Sequence, residues 1–387
     1  MIQYIDELEK ADLKGKKVLL RLDLNVPVVD GKVVDDFDLQ KIIPTIDFLR
    51  DYEAQVIILA HIEDSSGTNT TLLPVAEYLR GYFPLGFSPT FFDAEAVDKL
   101  LKLQDKEVLL FENVRNNSGE KESDKDFAQK LSQMADIYVN DAFGVSHRKH
   151  ASVVGVPEFL PHYGGLLMRQ EIEQLSKVFS PSHPFVFILG GAKFETKLPL
   201  IKKYLEKADS VFVAGALAND LFKEKGFEVG TSLVSASEVK LSDIVQNPKL
   251  VLPVDVTVTR KDGAQSFKKP QEVGKDEYIA DVGPETLEHI KNLLKDAKTV
   301  VWNGPLGNYE AGFRDKTESL AKLVADLTAN GLESIVGGGD TIASINTLGL
   351  DHKFSFISTG GGAMLDYLVD ETLVGIEALK VESPSSL

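Results

Sequence analysis

Ser334–Thr341 reads SIVGGGDT, and the nine residues after it, Ile342–Leu350, read IASINTLGL. A short apolar strand, Ile335-Val336, runs into three glycines, then Asp340 and Thr341, then a stretch with helical spacing. Glycines carry no Cβ, so backbone N–H groups can crowd around an anion. A helix that starts there adds its positive N-terminal end. Asp340 at the helix mouth suits a Mg²⁺ ion while the N–H groups hold phosphate oxygens. Taken alone, the stretch reads equally well as a strand-to-helix turn that needs glycine for packing. The rest of the chain decides, because the same device recurs.

Short apolar runs alternate with longer amphipathic segments. Val18–Leu20, Val56–Ala60, Val108–Phe111 and Ile137–Val139 are strand candidates in the first half. Phe185–Leu189, Val211–Val213, Leu250–Pro253, Val300–Trp302, Ile335–Val336 and Phe354–Ile357 are those of the second. Lys41–Arg50, Leu73–Gly81, Asp124–Met134, Leu198–Lys207, Pro284–Leu294 and Lys316–Asn330 have the spacing of helices with one apolar face. The pattern predicts an α/β fold with two domains, each a parallel sheet flanked by helices. Ten strands are too many for one comfortable open sheet, hence two. Gly164-Gly165 opens LLMRQEIEQLSKVF, which ends in the breaker SPSHP and reads as a helix connecting the two domains. The expected division is 1–164, a connecting helix 165–184, a second domain 185–365 and a C-terminal segment 366–387, with the tail ESPSSL frayed.

In open α/β sheets, ligands bind beyond the carboxyl ends of the strands. In the second half those ends carry glycine and lysine. Phe185–Leu189 runs into GGAKFETK, Val211–Val213 into AGA, Val300–Trp302 into NGPLGNYE and Phe354–Ile357 into STGGGA. Five such loops, with SIVGGGDT, point to a phosphate-binding face. No GxxxxGK[ST] and no GxGxxG occurs. Lys193 and Lys197 are four apart and share a helical face. Glu310 is placed to accept hydrogen bonds from ribose hydroxyls.

The first half ends its strands in polar side chains instead. Asp23 and Asn25, His61, Glu112, Asn113 and Arg115, and Asn140-Asp141 followed by His147-Arg148-Lys149-His150 fall at successive strand ends. Histidine, asparagine and two arginines at one sheet edge suit a small anionic ligand.

The chain has 387 residues, 43% of them hydrophobic and 26% charged, with a formal net charge of −17. That length suggests two or three domains. The acidic surface repels nucleic acid and anionic membranes, so neither is an expected partner. There is no cysteine, which excludes disulfides, thiolate nucleophiles and Cys-based zinc sites. The start MIQYIDELEK is too charged for a secretory signal, and a cytoplasmic location is expected.

Read together, RLDLNVP, PTIDFL, FENVR, VNDAFGVSHRKHAS, ILGGAKFETK, LPVDV, VVWNGPLGNYE, GGGDT and ISTGGGA resemble the phosphoglycerate kinase family, collinearly and over nearly the full length. The resemblance implies two Rossmann-like domains with a cleft and a hinge, and reversible phosphoryl transfer between ATP and 3-phosphoglycerate, giving ADP and 1,3-bisphosphoglycerate, with Mg²⁺, in a monomer. It implies an acid-substrate site at Asp23, Asn25, His61, Arg115 and Arg148. It implies a nucleotide site at Lys193, Lys197, Gly215, Asn303, Pro305, Glu310, Gly337, Gly338, Gly339, Asp340 and Thr341, with Asp340 holding the metal. Lys197, Gly338 and Gly361 take the catalytic positions, and the C-terminal residues are expected to fold back on the first domain.

Two stretches depart from the family pattern. In DDFDLQKIIPTI, Asp38 takes the place of an arginine, and in His61-Ile62-Glu63-Asp64, Asp64 takes the place of a second and Glu63 that of a glycine. Weak acid binding and impaired turnover are therefore expected. The competing expectation is a non-catalytic nucleotide-binding paralogue, and a third is a kinase for a less anionic acceptor.

Overall fold

Runs rich in valine, isoleucine and leucine become central strands buried on both faces, and shorter, partly exposed strands flank them. Lys17–Arg21 (β1), Gln55–Leu59 (β2), Leu85–Ser88 (β3), Val108–Phe111 (β4), Ile137–Asn140 (β5) and His162–Gly164 (β6) form one sheet, ordered β3-β4-β2-β1-β5-β6. Every pairing in it is parallel. Register places Val18 and Leu20 beside Val56 and Ile58 on one side and Ile137 and Val139 on the other. Helix Phe37–Asp51 covers one face with Leu39, Ile42, Ile46 and Leu49, all buried at helical spacing.

Phe185–Leu189 (β7), Ser210–Val213 (β8), Leu250–Val251 (β9), Thr299–Asn303 (β10), Glu333–Gly337 (β11) and Phe356–Ile357 (β12) form a second parallel sheet, ordered β9-β8-β7-β10-β11-β12. Chain order reverses between β7 and β10, which opens a crevice at their carboxyl ends. Helix Phe194–Lys207 packs on this sheet through Tyr204, whose ring stacks on Phe187 with centroids 4.1 Å apart.

These coordinates come from a computed structural model that describes residues 1–64, 66–236 and 240–381. One unit comprises Met1–Glu173 and the segment from Thr372, the other Gln174–Glu371. The expected first domain stopped at 164, but helix Leu166–Ser176 begins within the first unit, where the buried Asp141 carboxylate accepts the Met168 N–H at 2.8 Å. The returning segment was expected from Asp366. Asp366 instead lies in helix Gly362–Asp370 of the second unit, held there by the Tyr204 hydroxyl on the Leu368 carbonyl at 3.2 Å. In the first unit, the Gly375 N–H donates to the Ser146 carbonyl at 2.8 Å, and the Val381 N–H to Met1 at 3.1 Å. The tail Glu382–Leu387 lies outside the described residues.

All ten anticipated runs form strands, and β3 and β6 add two more. An antiparallel sheet of Gln265–Lys268, Val256–Thr259 and Tyr278–Val282 was also not anticipated. Among the described residues, no helix is long and apolar enough to cross a membrane.

Candidate functional site

In the second unit the chain leaves the sheet through glycine and re-enters helix at once. Helices Ala216–Glu224, Gly339–Thr347 and Gly362–Asp370 follow Gly215, Gly338 and Gly361, with φ of 62°, 98° and 50°. Positive φ favours glycine, and none of the three helices has a side chain capping its first turn. Each helix thus starts at a strand end with no side chain on its first-turn N–H groups, although Leu217 and Ala363 already donate theirs to the Gly191 and Gly360 carbonyls at 3.3 and 2.9 Å.

The strand ends approach each other more closely than any side chain allows. The Gly190 N–H donates to the Asn303 carbonyl at 2.9 Å, and the Gly191 N–H to the Pro305 carbonyl at 3.0 Å. The Gly304 N–H donates to Thr341 Oγ1 at 3.0 Å, tying β10 to the helix after β11. A Cβ on Gly190 would stand 2.0 Å from the Pro305 carbonyl oxygen, and one on Gly215 would stand 2.7 Å from the Gly191 nitrogen. Asn303 is buried, with its amide nitrogen 3.9 Å from the Met364 sulfur. A Cβ on Gly337 would strike that sulfur at 2.2 Å.

Lys197 rises from the first turn of helix Phe194–Lys207 into this frame. It is 8% exposed and donates to the Gly190 carbonyl at 2.7 Å. Burial pushes its ammonium down to about 8, with Asp340 opposing and Lys193 adding to the effect. Lys193 itself is exposed just before the helix. Asp340 is accessible in the first turn of its helix, and its carboxyl is pushed upward by surrounding protein and by Glu310, with Lys197 opposing. Glu310 is exposed.

The described residues contain no cluster of three or more His, Asp or Glu able to hold a metal. Mg²⁺ typically takes one or two carboxylates and completes its octahedron with substrate phosphates and water. One accessible carboxylate in the first turn of helix Gly339–Thr347 fits an ion that arrives with a nucleotide.

The first unit gathers its predicted residues around a buried basic cluster. Asp23 lies 3.8 Å from His61 Nδ1, and its Oδ1 accepts the Asn25 N–H at 3.3 Å. Asn25 Oδ1 accepts the Glu63 N–H at 2.9 Å. His61 is 1% exposed; burial and then the guanidiniums of Arg21, Arg115 and Arg148 hold its imidazole far below the ordinary value, hence neutral. Arg115 is 4% exposed, and burial with the nearby Arg148 lowers its pKa. Half-buried Arg148 donates through Nε to His147 Nε2 at 3.3 Å. Asn113 is scaffold: its amide donates to the Ile62 carbonyl at 2.6 Å and the Thr70 carbonyl at 2.8 Å.

Sequence reasoning missed Arg21, which joins the cluster fully buried. Its Nε donates to Ser152 Oγ at 2.9 Å and an NH2 nitrogen lies 3.4 Å from His61 Nδ1. Ser152 Oγ in turn donates to the buried Glu120 at 2.6 Å. The available signal was an arginine closing an apolar strand two residues before Asp23. Nothing in the sequence marks Glu120 or Ser152 as its partners.

The two departures fall out differently from expectation. Asp38 is half-buried, with Asp23, Asp35 and Glu171 as like-charged neighbours; burial first and these charges next push its carboxyl up to about 7. Asp64 is exposed and spent on its own turn: Oδ1 accepts from the Ser66 and Thr68 N–H groups at 2.9 and 3.0 Å and from the Ser66 hydroxyl at 2.6 Å. Glu63, not Asp64, reaches the basic cluster. Its carboxylate stands 2.7 Å from Arg115 NH1 and 3.2 Å from Lys121 Nζ.

Comparison with known proteins agrees with this geometry. The family model described as phosphoglycerate kinase matches residues 8–371. A phosphoglycerate kinase of Fervidobacterium nodosum is 39% identical over 96% of this chain and 97% of its own. One from Orientia tsutsugamushi is 39% identical over 98% of both. Among solved structures, phosphoglycerate kinase from Pyrococcus horikoshii aligns with a TM-score of 0.85 at 32% identity, covering 98% of both chains. That from Coxiella burnetii aligns at 0.80 and 33%, again over 98% of both.

Proposed function

The chain belongs to the phosphoglycerate kinase family, and on that footing we propose that it passes a phosphoryl group reversibly between ATP on its second unit and the carboxylate of 3-phosphoglycerate on its first, with turnover held down by Asp38. It is a phosphotransferase of the glycolytic type. A cytoplasmic monomer that takes Mg²⁺ with its nucleotide is part of the same reading.

The observation that carries the reading is the glycine-lined crevice at the β7–β10 reversal, with Lys197 fixed on the Gly190 carbonyl. Phosphoryl transfer asks a protein for position and charge more than for covalent chemistry. Helix N–H groups and the Lys197 ammonium counter charge that spreads over the transferring oxygens. Asp340 would hold Mg²⁺, which bridges phosphate oxygens and neutralises their charge when bound. The acceptor carboxylate is ionised at neutral pH, so no side chain has to act as a base. Arg115, Arg148 and Arg21 supply the positive field for the acid, and neutral His61 and Asn25 supply directional hydrogen bonds.

A coupled assay with Mg·ATP and 3-phosphoglycerate tests this. Product formation below an ordinary kinase rate of about 1–100 per second supports it. The placement of Asp38 among Asp23, Asp35 and Glu171 favours a second reading, a nucleotide-binding relative without turnover. Mg·ADP binding with no detectable product would select that one.

A further inference from the structure

The buried guanidinium of Arg115 already has an anion against it. Glu63 Oε2 stands 2.7 Å from NH1, while its other oxygen is 3.2 Å from Lys121 Nζ. The Arg115 contact is close but lies off the N–H axis, so no guanidinium N–H has an aligned acceptor among the described residues. Arg115 is thus charged, desolvated and short of hydrogen bonds, the state of a group built to receive an anionic oxygen from elsewhere.

Glu63 is fastened where it is. Its backbone N–H is held by Asn25 Oδ1 at 2.9 Å, and it bridges to Asn69, whose amide donates to the Arg115 carbonyl at 2.7 Å. Burial would raise the Glu63 pKa, but the hydrogen bond from Lys121 and the charge of the adjacent Arg115 guanidinium outweigh it and hold the carboxylate below its ordinary value. It stays ionised at neutral pH.

We propose that Glu63 is an internal stand-in for the acceptor's anionic group, occupying Arg115 in the free protein and setting the selectivity and affinity of the acid site. The proposal rests on the reading of Arg115 as an acid-substrate residue. An incoming acid has to displace one carboxylate to install another. Its apparent affinity is the intrinsic affinity reduced by the fraction of molecules in which Glu63 has let go. With that fraction at or below about a tenth, the handicap is about tenfold or more. A weakly charged acid cannot make the exchange, whereas a dense trianion can. Lys121 then receives the released Glu63 and lowers the penalty of opening.

The test is calorimetry of 3-phosphoglycerate, and separately of inorganic pyrophosphate, on the intact chain and on Glu63→Gln and Glu63→Asp. The first variant removes the charge; the second keeps it but shortens its reach. Thermal unfolding confirms that each is folded, and Mg·ADP affinity serves as the internal control. The expected result is a gain of about tenfold or more in 3-phosphoglycerate affinity for Glu63→Gln, with a smaller gain for Glu63→Asp and Mg·ADP unchanged. If only one variant folds, a gain in that one supports the proposal and no gain overturns it. Folded variants that bind the acid no better than the parent overturn it. Should 3-phosphoglycerate bind to none of the proteins while pyrophosphate affinity rises in the variants, Glu63 stands as the internal occupant and the acceptor assignment falls. If no anion binds any of the proteins, both fall.

Discussion

The Lys197 ammonium donates a 2.7 Å hydrogen bond to the Gly190 carbonyl oxygen at the mouth of the glycine-lined crevice. A buried lysine with one neutral acceptor holds its charge weakly, which is why its pKa falls to about 8. An arriving phosphate favours the charged form and pulls that value back up. Mg·ADP affinity should therefore fall as pH rises from about 7 to about 9, a window above the second phosphate pKa of about 6. Lys197→Met should flatten this dependence and slow turnover by about 10²–10³. Calorimetry across the range, with the variant beside the parent, checks it; parallel slopes would contradict the role.

Gly304 has a φ of +96°, and a Cβ there would stand 2.4 Å from the Gly190 carbonyl oxygen and 2.8 Å from Lys197 Nζ. Gly304→Ala therefore strains the backbone by about 1–3 kcal/mol and displaces the lysine as well. The expected outcome is a lower melting temperature for the second unit and loss of nucleotide binding, with 3-phosphoglycerate binding kept. Differential scanning calorimetry with each ligand reads both effects.

Ten of the twelve strands of the two parallel sheets were legible because burial on two faces leaves an uninterrupted apolar run, as in Phe185–Leu189, whereas Leu85–Ser88 and His162–Gly164 are short and only partly buried and were not. The strand Val256–Thr259 (VTVT) was not, because it alternates and pairs with the exposed Gln265–Lys268. Gly215, Gly338 and Gly361 were legible because their φ values leave few other residue types possible. The polar cluster of the first unit was legible in type but not in aim. Which of the adjacent acids Glu63 and Asp64 turns toward Arg115 depends on a turn closed by Ser66 and Thr68. No spacing rule encodes that choice. The buried chain from Arg21 through Ser152 to Glu120 joins residues 131 and 32 positions apart, which periodicity cannot register.

Asp340 is the one acid in the first turn of helix Gly339–Thr347. If it holds Mg²⁺, its loss matters only when the metal is present. Asp340→Ala should weaken Mg·ADP binding by about 10-fold or more, since a tenfold change is about 1.4 kcal/mol, ordinary for a hydrogen-bonded or ligating charge. Without Mg²⁺ the same variant should bind ADP as well as the parent or better, because a carboxylate near phosphate has gone. Titrations with and without the metal separate the cases, and equal losses in both would rule out ligation.

Asp38 faces Asp23, Asp35 and Glu171, with Lys41 opposing; Lys41 is exposed and lies 4.8 Å above the Phe37 ring. Its carboxyl titrates at about 7 in the folded chain, against about 3.9 unfolded. The folded state therefore binds the extra proton between those values, and stability falls as pH rises through that window. Asp38→Asn should match the parent near about pH 4 and melt higher than it near about pH 8. Acceptor binding follows the same sign. A protonated Asp38 repels the acid less, so the parent's affinity for 3-phosphoglycerate should drop between about pH 6 and about pH 8 relative to that of Asp38→Asn. Subtracting the variant removes the acid's own phosphate titration. Asp38→Arg goes further, since it places a planar cation where the field is now negative, and should raise turnover by about 10-fold or more, part of the 10³–10⁵ such an arginine can supply. Asp64→Arg alone should change little, because Asp64 is exposed and holds its own turn. Identical pH slopes in the parent and Asp38→Asn, or a gain from Asp64→Arg equal to that from Asp38→Arg, would show that the negative field of the acid site does not originate at Asp38.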